Sequence, residues 1–142
     1  MAGRVPGWFL PPSPGEIVWC RFPQRGVPGP GPKARPALVI AVGQADNGPT
    51  AFVAYGTSRK VDQLFPGEFA IVTSGFSAFD AAGLTSSTKF DFARIFELDF
   101  NDLWFAVAPG APYGQTPKLG ILHPSLVRRA EAAYRAATRT RR

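Results

Sequence analysis

Two side chains of opposite charge, Lys89 and Asp91, stand two positions apart in the run TKFDFARIFEL. β-Branched and aromatic residues dominate that run, which predicts a strand over residues 89–98. In a strand, residues two apart project from one face, so both groups can reach a single bound molecule. The carboxylate can take a proton, and the ammonium can give one or balance a developing negative charge. Lysine releases its proton more readily than arginine, with unperturbed pKa values of about 10.4 and above about 12. The same two residues also fit a plain solvent-exposed ion pair, worth about 0–1 kcal/mol. Arg35 ends a Pro/Gly-rich stretch and could clamp a phosphate with its guanidinium fork or merely pair with a carboxylate. Thr57 and Ser58 follow Gly56 at the end of another candidate strand, where hydroxyls either meet a ligand or cap a turn. Glu16, at a strand start, could orient an arginine or simply face water.

Other chemistries find little in the chain. The one histidine, His123, precedes Pro124 at a helix entrance and reads as a capping or packing residue, which argues against histidine acid–base catalysis. A single cysteine, Cys20, excludes an intramolecular disulfide and a cysteine-based zinc cluster, and its apolar neighbours suit a core position. No metal site and no cofactor are expected. The hydroxyl run Thr85, Ser86, Ser87, Thr88 lacks a nucleophile-elbow pattern and reads as a polar turn into the Lys89 strand, or as hydrogen-bonding groups for a ligand. Phe76, Phe79, Phe90 and Phe92 could stack on planar bases, though core packing is the simpler use, above all for the two inside the strand.

These residues need a scaffold, and 142 residues suffice for one core but not two. Glycine and proline, 15 of each, punctuate the chain every few residues, which favours short strands over long helices. Strands are expected at residues 16–22 (EIVWCRF), 37–42 (ALVIAV), 51–55 (AFVAY), 68–72 and 89–98, with a turn over 44–49 joining the second and third. Residues 1–14, rich in proline, read as an irregular extension, and the Pro/Gly-rich stretch after Phe22 as a long loop outside the sheet. Residues 74–83 are turn-rich with room for one helical turn. From Pro124 onward, Leu126, Val127, Ala130, Ala133, Tyr134 and Ala137 share one helical face, predicting a C-terminal helix. No apolar run approaches the roughly 18–20 residues that span a bilayer, and prolines interrupt the start before a signal sequence could form, so a cytoplasmic location with no membrane contact is expected.

The net charge of +6 is unevenly spread: residues 128–142 hold six arginines and one glutamate, which leaves the rest nearly neutral. Any polyanion site on the body must therefore be a local cluster of cations, with the tail adding unspecific phosphate attraction.

Four segments in order resemble the PemK/MazF pattern of bacterial toxin–antitoxin pairs: Gly15-Glu16-Ile17-Val18-Trp19, Arg35-Pro36-Ala37-Leu38-Val39-Ile40, Thr57-Ser58, and Gly120-Ile121-Leu122. The resemblance implies a mainly β fold, a small SH3-like (CcdB/PemK-type) β-barrel with a C-terminal helix, occupying residues 15–138 between the extension 1–14 and a basic tail 139–142. It implies a metal-independent endoribonuclease that cuts single-stranded RNA, works as a homodimer and is silenced by a cognate antitoxin. It also places Lys89 and Asp91 where the Kid/PemK branch has a basic residue, usually arginine, and an aspartate in the acid and base roles. Arg35 then becomes the phosphate clamp and Thr57 its helper, with Glu16, Ser58, Thr88 and Arg94 in support. Two rivals use the same architecture: a CcdB-like gyrase binder without catalysis, which has no need of the polar set Arg35, Thr57, Lys89 and Asp91, and a degenerate barrel acting as a binding module.

Overall fold

The computed structural model describes residues 10–140. Most of the expected N-terminal extension and the last two residues of the expected tail lie outside the described residues. In chain order the elements are β1 (Glu16–Cys20), β2 (Pro23–Gln24), β3 (Val27–Pro30), β4 (Arg35–Ala45), β5 (Gly48–Thr57), β6 (Glu68–Ile71), α1 (Ser77–Ala82), β7 (Thr88–Asp99), β8 (Lys118–Ile121) and α2 (Val127–Thr140). Six of the strands form one antiparallel sheet ordered β6-β7-β5-β4-β1-β8. This is the expected mainly β architecture with a C-terminal helix. The two ends of the order, β6 and β8, are both touched by α1. Contact there is backbone to backbone: a Cβ on Gly120 would run into Ala81 and Ala82, and one on Gly83 into Leu119. Gly83 also closes α1 in the left-handed conformation, φ +71°, with its N–H donating to the Asp80 carbonyl.

Both faces of the sheet centre are covered. On one side Ile17, Leu38, Ala54, Phe69, Phe90 and Phe92 pack with α1 and α2; on the other Val18, Cys20, Ala37, Val39, Val53 and Leu98 pack under Phe100 and Phe105. Consecutive residues of β1 and β4 are therefore both buried, which is why neither strand alternates cleanly in sequence. Cys20 is fully buried, and burial pushes its thiol pKa up, consistent with an inert core residue.

The stretch after Phe22 departs from expectation. It is not a structureless loop but a small ribbon, β2 with β3, turned at Gly26 (φ +75°) and kept apart from the main sheet. Prolines 28, 30 and 32 deny it the donors for a longer ladder. The turn between β4 and β5 tightens to residues 46–47, because both strands extend further than their apolar cores. Residues 73–82 hold a 3-10 turn, Thr73–Gly75, and then α1.

His123 caps the final helical segment as expected: its Nδ1 accepts the Ser125 N–H at 3.1 Å, and Pro124 opens a 3-10 turn that runs into α2. Ala130, Ala133 and Ala137 are buried against the sheet, while Arg128, Arg129, Arg135 and Arg139 face water. The helix continues through Thr140, so the first two residues of the basic stretch 139–142 are helical. No helix among the described residues is long and apolar enough to cross a membrane.

Candidate functional site

A break in register between β5 and β7 shapes the site. Ala54 pairs with Ile95, but Tyr55 pairs with Asp91, which leaves residues 92–94 as a bulge in β7. An insertion of odd length exchanges the two faces of a strand. Lys89 and Asp91 thus share the face of Thr57 and Tyr55, whereas Ile95, four residues beyond Asp91, packs into the opposite core. Inside the bulge, Phe92 turns inward and stacks on Phe69, centroids 5.6 Å apart, with Tyr134 of α2 edge-on. Arg94 turns outward and lays its guanidinium 3.9 Å above the Tyr55 ring. Two hydrogen bonds pin the bulge: Phe92 N–H to the Gly67 carbonyl at 2.8 Å, and Ala93 N–H to Asp91 Oδ1 at 2.9 Å.

Around these residues three cavities, of about 220, 250 and 580 Å³, run into one another. The first is lined by Arg35, Thr57, Ser58 and the hydroxyl residues Thr85, Ser86 and Thr88. The second holds Asp91, Lys89, Glu68, Arg59 and Lys60. The third lies against the β2–β3 ribbon with Arg25 and Lys33. Thr57 belongs to the first two, Arg35 to the first and third, and Tyr55 and Arg94 to the second and third. Each cavity thus borders the other two, and together they make one open, polar-lined trough rather than the single apolar pit of a small-molecule site. Its lining supplies the local cation cluster that a nearly neutral body requires: Arg59, Lys60 and Arg94 share the cavity of Asp91, and Arg25, Lys33 and Arg35 line the adjoining ones.

The sequence-selected residues divide by environment. Arg35, half-buried, makes no ion pair among the described residues. Thr57 Oγ1 accepts the Arg59 N–H at 3.1 Å, a turn contact that leaves its O–H to donate. Ser58 is exposed on the trough wall, while Thr88 is buried with its hydroxyl donating to the Ser86 carbonyl at 3.0 Å. Lys89 does not pair with Asp91. Buried to 6% exposure, it donates instead to Glu68 Oε1 at 3.0 Å and to the Gln63 carbonyl at 2.9 Å. Glu16 is not brought to the trough; its partner is Lys118, 3.7 Å away. Of the four phenylalanines, Phe90 and Phe92 are core, Phe79 is partly buried against it, and Phe76 is 79% exposed at φ +49°.

Sequence reasoning missed Tyr55, Glu68, Arg59, Lys60, Arg25 and Lys33. Tyr55 was within reach, since it shares a strand face with Thr57 two residues on. Glu68 opens β6 and is brought to the site only by the pairing of β6 with β7, and the rest sit in connections whose path only the fold decides.

A family model described as PemK-like, MazF-like toxin of type II toxin–antitoxin system matches residues 13–103. The chain belongs to this PemK/MazF-like toxin family. The matched segment contains every polar residue of the trough named above and stops short of β8 and α2. Among solved structures, an endoribonuclease in complex with its cognate antitoxin, from mycobacterial species, shares the fold at a TM-score of 0.55 and 18% identity, over 90% of this chain and 95% of that one. No curated protein matches the sequence.

Proposed function

We propose that this PemK/MazF-like protein is an endoribonuclease that cuts single-stranded RNA with its own side chains, as a homodimer in the cytoplasm, and that a cognate antitoxin silences it by filling the trough. The observation that carries the reading is Asp91, a carboxylate with no ion pair among the described residues, set beside cations and hydroxyls that line the adjoining cavities, while its neighbour Glu68 is taken up by Lys89. Asp91 Oδ1 is held by the Ala93 N–H, which turns the other oxygen to the 2′-hydroxyl proton. The freed 2′-oxygen attacks the adjacent phosphorus. Arg35 takes the phosphate in a fork and Thr57 adds its O–H, while Arg94, held over the Tyr55 ring, keeps N–H donors for the growing negative charge. The 5′-oxygen leaves with a proton from water in the open trough or from a side chain of its wall; Lys89 meets that need only by leaving Glu68.

The test is incubation of the purified protein with a defined single-stranded RNA, followed by analysis of the fragment ends. The expected products carry a 2′,3′-cyclic phosphate and a 5′-hydroxyl. Growth arrest by a protein that cuts no RNA would instead support the gyrase-binding reading. Because base and phosphate clamp are side chains, cleavage is expected to persist in EDTA; loss in chelator with recovery on adding magnesium would refute the mechanism. Arg94→Ala is expected to weaken RNA binding and lower the slope of log K against log salt by about 0.7, one phosphate contact on a single strand. A filter-binding series in salt measures it, and an unchanged slope would remove Arg94 from the interface.

A further inference from the structure

The ammonium of Lys89 lies among three partners: Glu68 Oε1 at 3.0 Å, the Gln63 carbonyl at 2.9 Å, and the Phe65 ring, 5.7 Å from its centroid. The same Glu68 oxygen accepts a further hydrogen bond from the Phe65 N–H at 2.9 Å. Buried charges persist where they are paired and hydrogen-bonded, and this pair, Lys89 on β7 with Glu68 on β6, also bonds Gln63 and Phe65 of one segment, residues 58–67 between β5 and β6. Its last residue, Gly67, is anchored separately through the Phe92 N–H, but Asp62, Gln63, Leu64, Phe65 and Pro66 before it are all exposed. Yet its first residues, Arg59 and Lys60, form the rim of the cavity that holds Asp91.

We infer that Glu68 and Lys89 are positioning residues, a buried clasp that holds residues 58–67 at the trough rim and so sets Arg59 and Lys60 against the phosphates of a bound strand. Lys89 itself does not touch the substrate. The cation at position 89 thereby serves binding through a loop rather than proton transfer. The inference takes its substrate from the ribonuclease reading, but the clasp is observable without RNA.

Trypsin cuts after Arg59 and Lys60, so it reads the order of this segment directly. In Glu68→Gln, and in the double variant Glu68→Gln/Lys89→Met that leaves no lone buried charge, cleavage at these two bonds is expected to quicken about tenfold, with the circular-dichroism spectrum retained. With a defined RNA, both variants are expected to raise KM about tenfold and to keep kcat within about threefold of the parent. Lys89→Arg, which retains a cation for Glu68, is expected to recover most of the lost KM. Unchanged trypsin rates in both variants would overturn the clasp whatever happens to RNA. A kcat loss of about 10²-fold in the double variant but not in Glu68→Gln would make Lys89 the proton donor and overturn the inference. If the parent cuts no RNA, the ribonuclease reading falls, while faster tryptic cleavage still supports the clasp.

Discussion

Asp91→Asn is expected to slow RNA cleavage by about 10²-fold or more while leaving RNA affinity and the fold in place. The amide is nearly isosteric with the carboxylate, and its oxygen can still accept the Ala93 N–H that fixes the side chain at 2.9 Å. What it cannot do is take a proton from the 2′-hydroxyl, and loss of a positioned general base costs rate on that scale. The change should fall on kcat, because Arg35, Arg94 and Thr57, the groups assigned to the phosphate, are untouched. Single-turnover cleavage of a defined RNA, together with a binding titration, separates the two. A variant that cuts at the parent rate would strip Asp91 of its role and move the search for the base elsewhere along the trough.

Phe90→Ala is expected to cost about 3–5 kcal/mol of folding stability, the range for truncating a large buried aromatic, and to lower the melting temperature by about 10 °C. Phe90 is fully buried, stands 5.8 Å from the Phe69 ring, and lies against Gly56 so closely that a Cβ there would meet the Phe90 ring at 2.8 Å. Gly56 sits between Tyr55 and Thr57, so the ring supports from behind the stretch of β5 that faces the trough. Activity is therefore expected to fall along with stability. Denaturant unfolding with a linear extrapolation measures the first, and a loss below about 1 kcal/mol would show that this cluster does not carry the core.

Much of the scaffold is legible in the residues taken locally. Pro/Gly punctuation and β-branched runs indicate short antiparallel strands, the 3.6-residue spacing of Leu126, Ala130, Ala133 and Ala137 marks α2, and His123-Pro124 marks its entrance. The family is readable too, because its motifs are short, contiguous and in order. The candidate site is only half legible. Arg35, Thr57 and Asp91 are recognisable by type and context, but nothing local reveals that Arg35 and Arg94 line one cavity or that Thr57 stands opposite Lys89 in a ladder.

Two things are decided only in three dimensions. One is parity: a period-2 reading of residues 89–98 puts Asp91 and Ile95 on the same face, whereas the bulge at 92–94, held by Gly67 and by packing of Phe92 against Phe69 and Tyr134, separates them and releases Arg94 to Tyr55. The other is partnership. Sequence proximity suggests that Lys89 pairs with Asp91, but its ammonium meets a carboxylate 21 residues away because β6 lies beside β7 and places Glu68 at the buried end of the lysine stem. By itself, then, the sequence determined the β character, the final helix, the family and the charged and hydroxyl residues from which the proposed site is drawn. Which of those charges face the trough and which are spent inside the protein depended on strand order and register, since a buried ion must take its partner from whatever the fold packs against it.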